Sequence, residues 1–406
     1  MNQFDADVLI IGAGPAGSMA AALLVKQGLS VLILEKELFP RFSIGESLLP
    51  QSIGLLEEAG MLQAVVEAGF QYKNGAAFAK RGLRTDFDFR EKFGAGWGNA
   101  YQVERAVFDK VLADEAAKTG AEIRYGHEIT AIDVAGGIPR LSVKGPEGAY
   151  EVSGRYLLDA SGFGRILQRK LGLEIPSQFP SRRAIFTHVE DRIARSFDRN
   201  KILVTVHPEH KDVWYWLIPF SNGRSSLGVV AEAPFLEKYL TDPTAGLKAL
   251  HWEDEGLKTL LKDAVWDTPA RSIFGYSANV KSLWGDGFAL LGNAGEFLDP
   301  VFSSGVTIAF KSASLAAPLV ARQLKGEKVD WEAEYARPLK QGVDAFRAFV
   351  ESWYRGGFQD VIFYKNQEPA MRKMICSVLA GYAWDQANPF VAEPRRLALL
   401  EEFCAA

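Results

Sequence analysis

The stretch Ala6-Asp7-Val8-Leu9-Ile10-Ile11-Gly12-Ala13-Gly14-Pro15-Ala16-Gly17 decides the fold. Four aliphatic residues, Val8 to Ile11, run straight into glycines. A short apolar run bounded in that way predicts a fully buried parallel strand. Ser18 to Gln27 carries small and aliphatic residues at helical spacing and stops at Gly28, and Leu29 to Leu34 is a second buried strand ending on Glu35. In this strand–turn–helix–strand context the glycines have separate duties. Gly12 makes the tight turn, Gly14 lets the backbone approach a pyrophosphate, and Gly17 permits close helix–strand packing. Pro15 and Ala16 open the helix, whose unpaired N–H groups and positive dipole end face the phosphates. Glu35, followed by Lys36, is placed to accept from a ribose hydroxyl.

Outward from this unit, residues 36–50 read as a loop rich in Gly, Pro and Ser, with helical patterns at 51–67 and 104–119. Strand alternation dominates 70–90, 121–135, 140–158 and 183–230. Phe288 to Gly292 is a further buried strand, leading through a glycine-bearing turn into a helix over 304–324. A chain that leaves its parallel sheet, builds a mostly antiparallel layer and returns predicts an α/β fold. The expected architecture is a Rossmann-like domain from 1–70, 100–165 and 275–330, and a substrate domain with an antiparallel sheet from 71–99 and 166–274. Residues 331–406 form a C-terminal helical segment. The late stretch from Gly285 to Gly295 brings Asn293 to the mouth of the same sheet, where it can bond a ribityl or phosphate oxygen. NAD needs no such second element; the longer FAD does, so FAD is the expected cofactor.

The composition excludes other classes. The 406 residues carry a net charge of −4, with 48% hydrophobic and 24% charged residues, which is ordinary for a globular protein and argues against a nucleic-acid binder. The two cysteines, Cys376 and Cys404, cannot make a disulfide scaffold, and they fit a reducing cytoplasm. Charged or polar residues interrupt every long apolar stretch, so no transmembrane segment is expected. The five histidines lack metal-ligand spacing and read as surface or core residues, and no metal is expected.

Further motifs make the chain resemble the flavin-dependent halogenases, within the para-hydroxybenzoate hydroxylase-like flavoproteins and with kinship to geranylgeranyl reductases. The larger group is carried by the three glycines, Glu35, Gln102-Val-Glu-Arg105-x-x-x-Asp109 and Asp159-Ala-Ser-Gly162. The segment Phe39-Pro-Arg41-x-x-x-Gly45-Glu46-Ser47 marks the halogenase and reductase branches. Trp214-Tyr-Trp216-Leu-Ile-Pro219, Asp299-Pro300-Val-Phe-Ser303-Ser304-Gly305 and Lys73 ahead of Gly75 look halogenase-like. The resemblance implies that Arg105 lies near the FAD pyrophosphate and Arg41 alongside the flavin, with Gly45, Glu46, Ser47, Pro300 and Gly305 also at the cofactor. It further implies an oxidant generated from reduced FAD and O2, a halide site near Ser304, Lys73 as the group that orients the oxidant, and Trp214 and Trp216 as a screen between flavin and substrate. The implied partners are a separate flavin reductase, a halide ion and an aromatic or acyl substrate, including one tethered to a carrier protein.

Bland readings stand beside these. Lys73 alone reads as a solvated surface lysine, the tryptophan pair as one face of a core strand, and Ser47 as a helix cap. Glu296 so close to the implied halide site would repel an anion unless protonated or turned away. The aromatic segment 340–390, with Phe346, Phe349, Trp353, Tyr354, Phe358, Phe363 and Tyr364, is expected to cover the substrate entrance. The alternative activity is an FAD-dependent monooxygenase, or a dehydrogenase or reductase of an aryl or polyene precursor, without halogenation.

Overall fold

The computed structural model describes residues 4–405; residues 1–3 and 406, the outer ends of the first and last expected segments, lie outside them. Its first sheet grows from the opening motif. Strand Ala6–Ile11 pairs in parallel with Val31–Glu35 on one side and Gly148–Asp159 on the other. Phe288–Leu290 and Glu122–Tyr125 extend this parallel core at its two ends. Val8, Leu9 and Ile10 are fully buried, as continuous aliphatic strands are when both faces of their sheet are covered. Helices Pro15–Lys26, Arg105–Thr119 and Gly305–Leu324 lie side by side as one covering layer, with Pro15–Lys26 between the other two.

The second sheet has seven strands, in the order Arg271–Phe274, Arg182–Glu190, Arg224–Glu232, Trp214–Pro219, Lys201–Val206, Gly75–Lys80 and Leu83–Asp88. It is antiparallel except where Lys201–Val206 runs parallel to Gly75–Lys80. One of its faces packs on the main core and carries Phe186, Trp214 and Trp216, while the other holds a separate cluster with Ile185, Tyr215 and Leu217. The period-two alternation thus divides each strand between two cores.

A small ladder joins the two sheets. Gln71–Lys73 pairs with Ala100–Gln102, and Ser47 bridges Gln102 from the other side. Leu48 N donates to Tyr101 O, and Val103 N donates to Glu46 O. This backbone pairing is what sets the loop 36–50 against the strand that bears Lys73.

The C-terminal helices differ from expectation. Helix Arg337–Arg355 buries Leu339, Val343, Phe346, Val350 and Trp353 along one stripe. Phe302 packs edge-on against both Trp353 and Phe358, and Trp353 also meets Phe78. Phe346, Phe349, Trp353 and Phe358 therefore extend the core rather than frame an entrance, because apolar rings gain more by packing against one another than by facing water.

Candidate active site

A cavity of about 680 Å³ runs between the two sheets, a volume suited to one extended cofactor. Gly12, Gly14, Pro15 and Ala16 line one end, together with Glu35, Lys36, Arg41 and Arg105. Gly45, Glu46, Ser47, Trp214, Trp216, Ile218, Asn293, Phe297, Pro300 and Gly305 line the rest.

The turn at the glycine end is built by exclusion of side chains. Gly12 has φ +95°, and a Cβ there would stand 2.8 Å from Ala160 O. Asp159 fixes the facing loop, its carboxylate accepting from Ser161 N at 2.9 Å and Leu167 N at 2.7 Å. Gly17 does not line the cavity; it lies against Gly12 O, as close helix packing demands. Glu35 accepts from Ala13 N and Glu37 N, both at 2.9 Å. A carboxylate has about four acceptor positions, so two remain for a ribose.

Asp109 organises the cationic side. Its buried carboxylate accepts from Arg105 Nε at 2.7 Å and from Arg41 Nη1 at 2.9 Å. Arg105 also donates to Ile44 O at 2.5 Å, which ties the loop 36–50 to the helix Arg105–Thr119. Arg41 sits at the glycine end, within 4.0 Å of Glu35. The i, i+4 spacing of Arg105 and Asp109 was a readable signal for this cluster.

Trp214 and Trp216 form the other wall, their rings 5.9 Å apart. Gly228 lies opposite Trp216 and has no side chain, which lets the indole lie flat across the sheet; its Nε1 donates to Ser226 Oγ at 3.0 Å. Trp214 Nε1 donates to Tyr354 OH at 2.9 Å, and Tyr354 donates on to Asp299 Oδ2 at 2.8 Å. The Arg182 guanidinium stacks on the Tyr354 ring at 3.4 Å. Nothing in the sequence spacing announces this network, because Arg182, Trp214, Asp299 and Tyr354 come from distant segments.

Burial pushes the Asp299 carboxyl up to about 6, against the opposing pull of Arg182 and its hydrogen-bond donors. Its folded pKa therefore lies above its unfolded value, and the folded state holds the proton between about pH 4 and pH 6 where the unfolded chain loses it. Stability from this group is present at low pH and is lost as pH rises through that window, by about 3 kcal/mol. We predict that the stability difference between wild type and Asp299→Asn falls by that amount from pH 4 to pH 7. Parallel denaturation curves for the two proteins would disprove it.

The remaining expected residues fall as follows. Lys73 is not a surface residue: it is 1% exposed, its Nζ donating to Ser47 Oγ at 2.7 Å and Leu48 O at 2.8 Å. Ser47 is thus a partner of Lys73 rather than a helix cap; the following helix starts at Pro50 after Leu49, with no side-chain cap. Lys73 does not line the cavity but stands one hydrogen bond behind its wall. Burial lowers its pKa to about 7. Ser304 is buried and turned away from the cavity, whose wall is made by Ser303 and Gly305 on either side. Glu296 also faces away, 3.7 Å from Arg347, and burial raises its pKa. His188, read as surface or core, lies 2.6 Å from Glu46.

The donor set fits FAD. The glycine turn would take the pyrophosphate, the apolar wall a flat ring, and the buried Asn293 Oδ1 and Glu46 Oε2 have no protein partner.

Comparison with known proteins agrees. Residues 5–328 match the FAD binding domain family. The chain is similar to a 1H-pyrrole-2-carbonyl-[peptidyl-carrier protein] chlorinase of Pseudomonas fluorescens, with 30% identity over 94% of this chain and 90% of the relative. A brominase acting on the same kind of carrier-bound pyrrole in Pseudoalteromonas luteoviolacea is likewise 30% identical, over 95% of this chain and 94% of the relative. This chain belongs to the flavin-dependent halogenase family. It is an FAD-dependent oxidoreductase. Among solved structures, a flavoprotein/dehydrogenase from Cytophaga hutchinsonii superposes with a TM-score of 0.95 at 44% identity, covering 98% of each chain. Among the described residues no helix is long and apolar enough to cross a membrane.

Proposed function

We propose that this protein is a halogenase of an aromatic substrate, and that the substrate class includes pyrrolyl or other aryl-acyl groups tethered to a carrier protein. The observation that carries the reading is Lys73: a buried amine with no carboxylate partner, held by Ser47 and Leu48 O directly behind the cofactor cavity. Bound FAD, when reduced, supplies the electrons that turn O2 and halide into an electrophilic halogen species. Gly12, Gly14, Pro15, Ala16, Glu35, Lys36, Arg41 and Arg105 hold the cofactor's dinucleotide part, with Gly17 seating the helix behind the turn, and Gly45, Glu46, Ser47, Asn293, Pro300 and Gly305 hold its flavin part. Backbone N–H groups following Pro300, through Ser304 and Gly305, polarise the halide. Trp214 and Trp216 keep the organic substrate off the flavin. Lys73 takes up the oxidant by hydrogen bonding from its amine and directs it to the substrate. Reducing equivalents come from a separate flavin reductase.

The test supplies FADH2 enzymatically with O2 and bromide, and offers both a free electron-rich phenol and a carrier-bound pyrrolyl group. The expected product carries bromine in place of one aromatic hydrogen. A second reading, a dehydrogenase or monooxygenase, is favoured by one observation: Lys73 faces packed Phe89 rather than an open chamber. Under that reading flavin turnover proceeds with bromide left out and no product gains a halogen.

A further inference from the structure

Glu46 and His188 have no proton-transfer role in the reading above, yet their geometry is unusual. The Glu46 side chain is wholly removed from solvent, lines the cavity, and has a buried Oε2 with no partner. Its Oε1 lies 2.6 Å from His188 Nε2. His188 does not line the cavity; its side chain is 21% exposed, and it sits against the rings of Phe42 and Phe220 at 5.8 and 5.1 Å. A carboxyl group left half-unpartnered in an apolar wall is costly. The loop does not need it for position, since the Glu46 main chain already accepts from Val103 N. The pair therefore joins an acceptor open to the cofactor cavity with a ring that reaches the outside.

We propose that Glu46 and His188 form a proton-conducting pair between solvent and the cofactor cavity, with His188 acting through Glu46. The proposal rests on the oxygen chemistry of the proposed function. There, the reduced flavin anion, O2, halide and two protons become oxidised flavin, hypohalous acid and one water, and release of hydrogen peroxide without halide takes up one proton, so protons must enter a site walled by Trp214, Trp216 and Ile218. His188 Nδ1 binds a proton from solvent, Nε2–H passes its proton to Glu46 Oε1, and the carboxyl releases one from Oε2 into the cavity. Tautomer exchange of the imidazole, with the carboxyl group turning to bring its proton from Oε1 back to Oε2, resets the pair. The charged groups on the surrounding elements are Arg271, whose guanidinium stacks on Phe42, Lys73 at Ser47, and Arg105 at Ile44 O. None of them hydrogen-bonds the Glu46 carboxylate.

Two measurements test it. In FAD-free protein labelled with 15N-histidine, His188 should give a downfield ring N–H resonance that moves or vanishes in Glu46→Gln. In FAD-loaded protein reduced by light, with neither halide nor organic substrate present, reoxidation by O2 to hydrogen peroxide should slow about 100-fold in His188→Ala, the scale of a lost general acid. FAD affinity should stay within about threefold of wild type, since His188 does not reach the cavity. Because the histidine position is partly open to solvent, added imidazole should restore the rate. An unchanged reoxidation rate with FAD bound overturns the proposal, and so does a slow rate that imidazole leaves untouched. If His188→Ala does not hold FAD, His188→Gln is read in the same way; loss of FAD from both makes the pair structural and ends the idea. Failure of halogenation itself does not touch these readouts, because no halogen transfer is measured.

Discussion

Lys73→Met should lose halogen transfer altogether, still bind FAD, and gain stability relative to wild type as the pH is lowered from 10 to 6. The three outcomes share one cause. Burial holds the Lys73 amine near pKa 7, far below the ordinary lysine value of 10.5. The folded state therefore binds fewer protons than the unfolded chain over that interval, and stability is lost as pH falls from about 10 to about 7. At 1.36 kcal/mol per unit the loss approaches about 5 kcal/mol. Methionine fills the same space without a charge, and its main debit is two acceptors, Ser47 Oγ and Leu48 O, left unpaired at about 1–3 kcal/mol each. The variant's stability relative to wild type should therefore rise by about 5 kcal/mol between pH 10 and pH 6, from a clear deficit at pH 10. Lys73→Arg should also be inactive, because a guanidinium stays charged and cannot present a free amine. Halogenation by Lys73→Met at the wild-type rate would remove the lysine from the proposed mechanism, and equal stability at pH 6 and pH 10 would refute its desolvation.

The amine illustrates what a sequence conveys and what it withholds. Residues 6–35 could be read directly, because a buried strand, a glycine turn and a helix each impose a local pattern. The alternating layer of the second sheet was legible for the same reason. Lys73 could be singled out only by its resemblance to a family pattern; its burial follows from the ladder that pairs Gln71–Lys73 with Ala100–Gln102, and Ser47 with Gln102. Such long-range pairing leaves no periodic trace. Glu46 and His188 lie 142 residues apart, and Tyr354 reaches Asp299 across 55. The aromatic residues of the C-terminal helices were visible as residues, but whether they face a substrate or one another depends on Phe302 and Phe78, which other segments deliver.

Gly17→Ala should abolish FAD binding and strongly destabilise the fold, whereas Gly14→Ala should fold normally and only weaken FAD binding. Helix propensity alone says otherwise, since alanine is favoured over glycine by about 1 kcal/mol in a helix interior. The backbone decides against it at residue 17, where an added Cβ would stand 2.0 Å from Gly12 O. Neither atom belongs to a flexible side chain, so the helix must move away from the first strand and carry the phosphate turn with it. Overpacking against mobile neighbours costs about 1–3 kcal/mol, and a clash with main chain exceeds that. At residue 14 the φ of −70° suits any residue, and the nearest atom to a new Cβ is the Arg41 guanidinium at 3.4 Å, the end of a long side chain. The added methyl obstructs only what approaches the turn from the cavity. Loss of about 1–3 kcal/mol of FAD affinity corresponds to roughly 5- to 150-fold in Kd. Fluorescence titration of the apoprotein with FAD, set beside thermal unfolding of the FAD-free variants, separates the two glycines. A Gly17→Ala protein as stable as wild type would show that the helix seats differently on the first strand, and a Gly14→Ala protein with unaltered FAD affinity would place the pyrophosphate elsewhere.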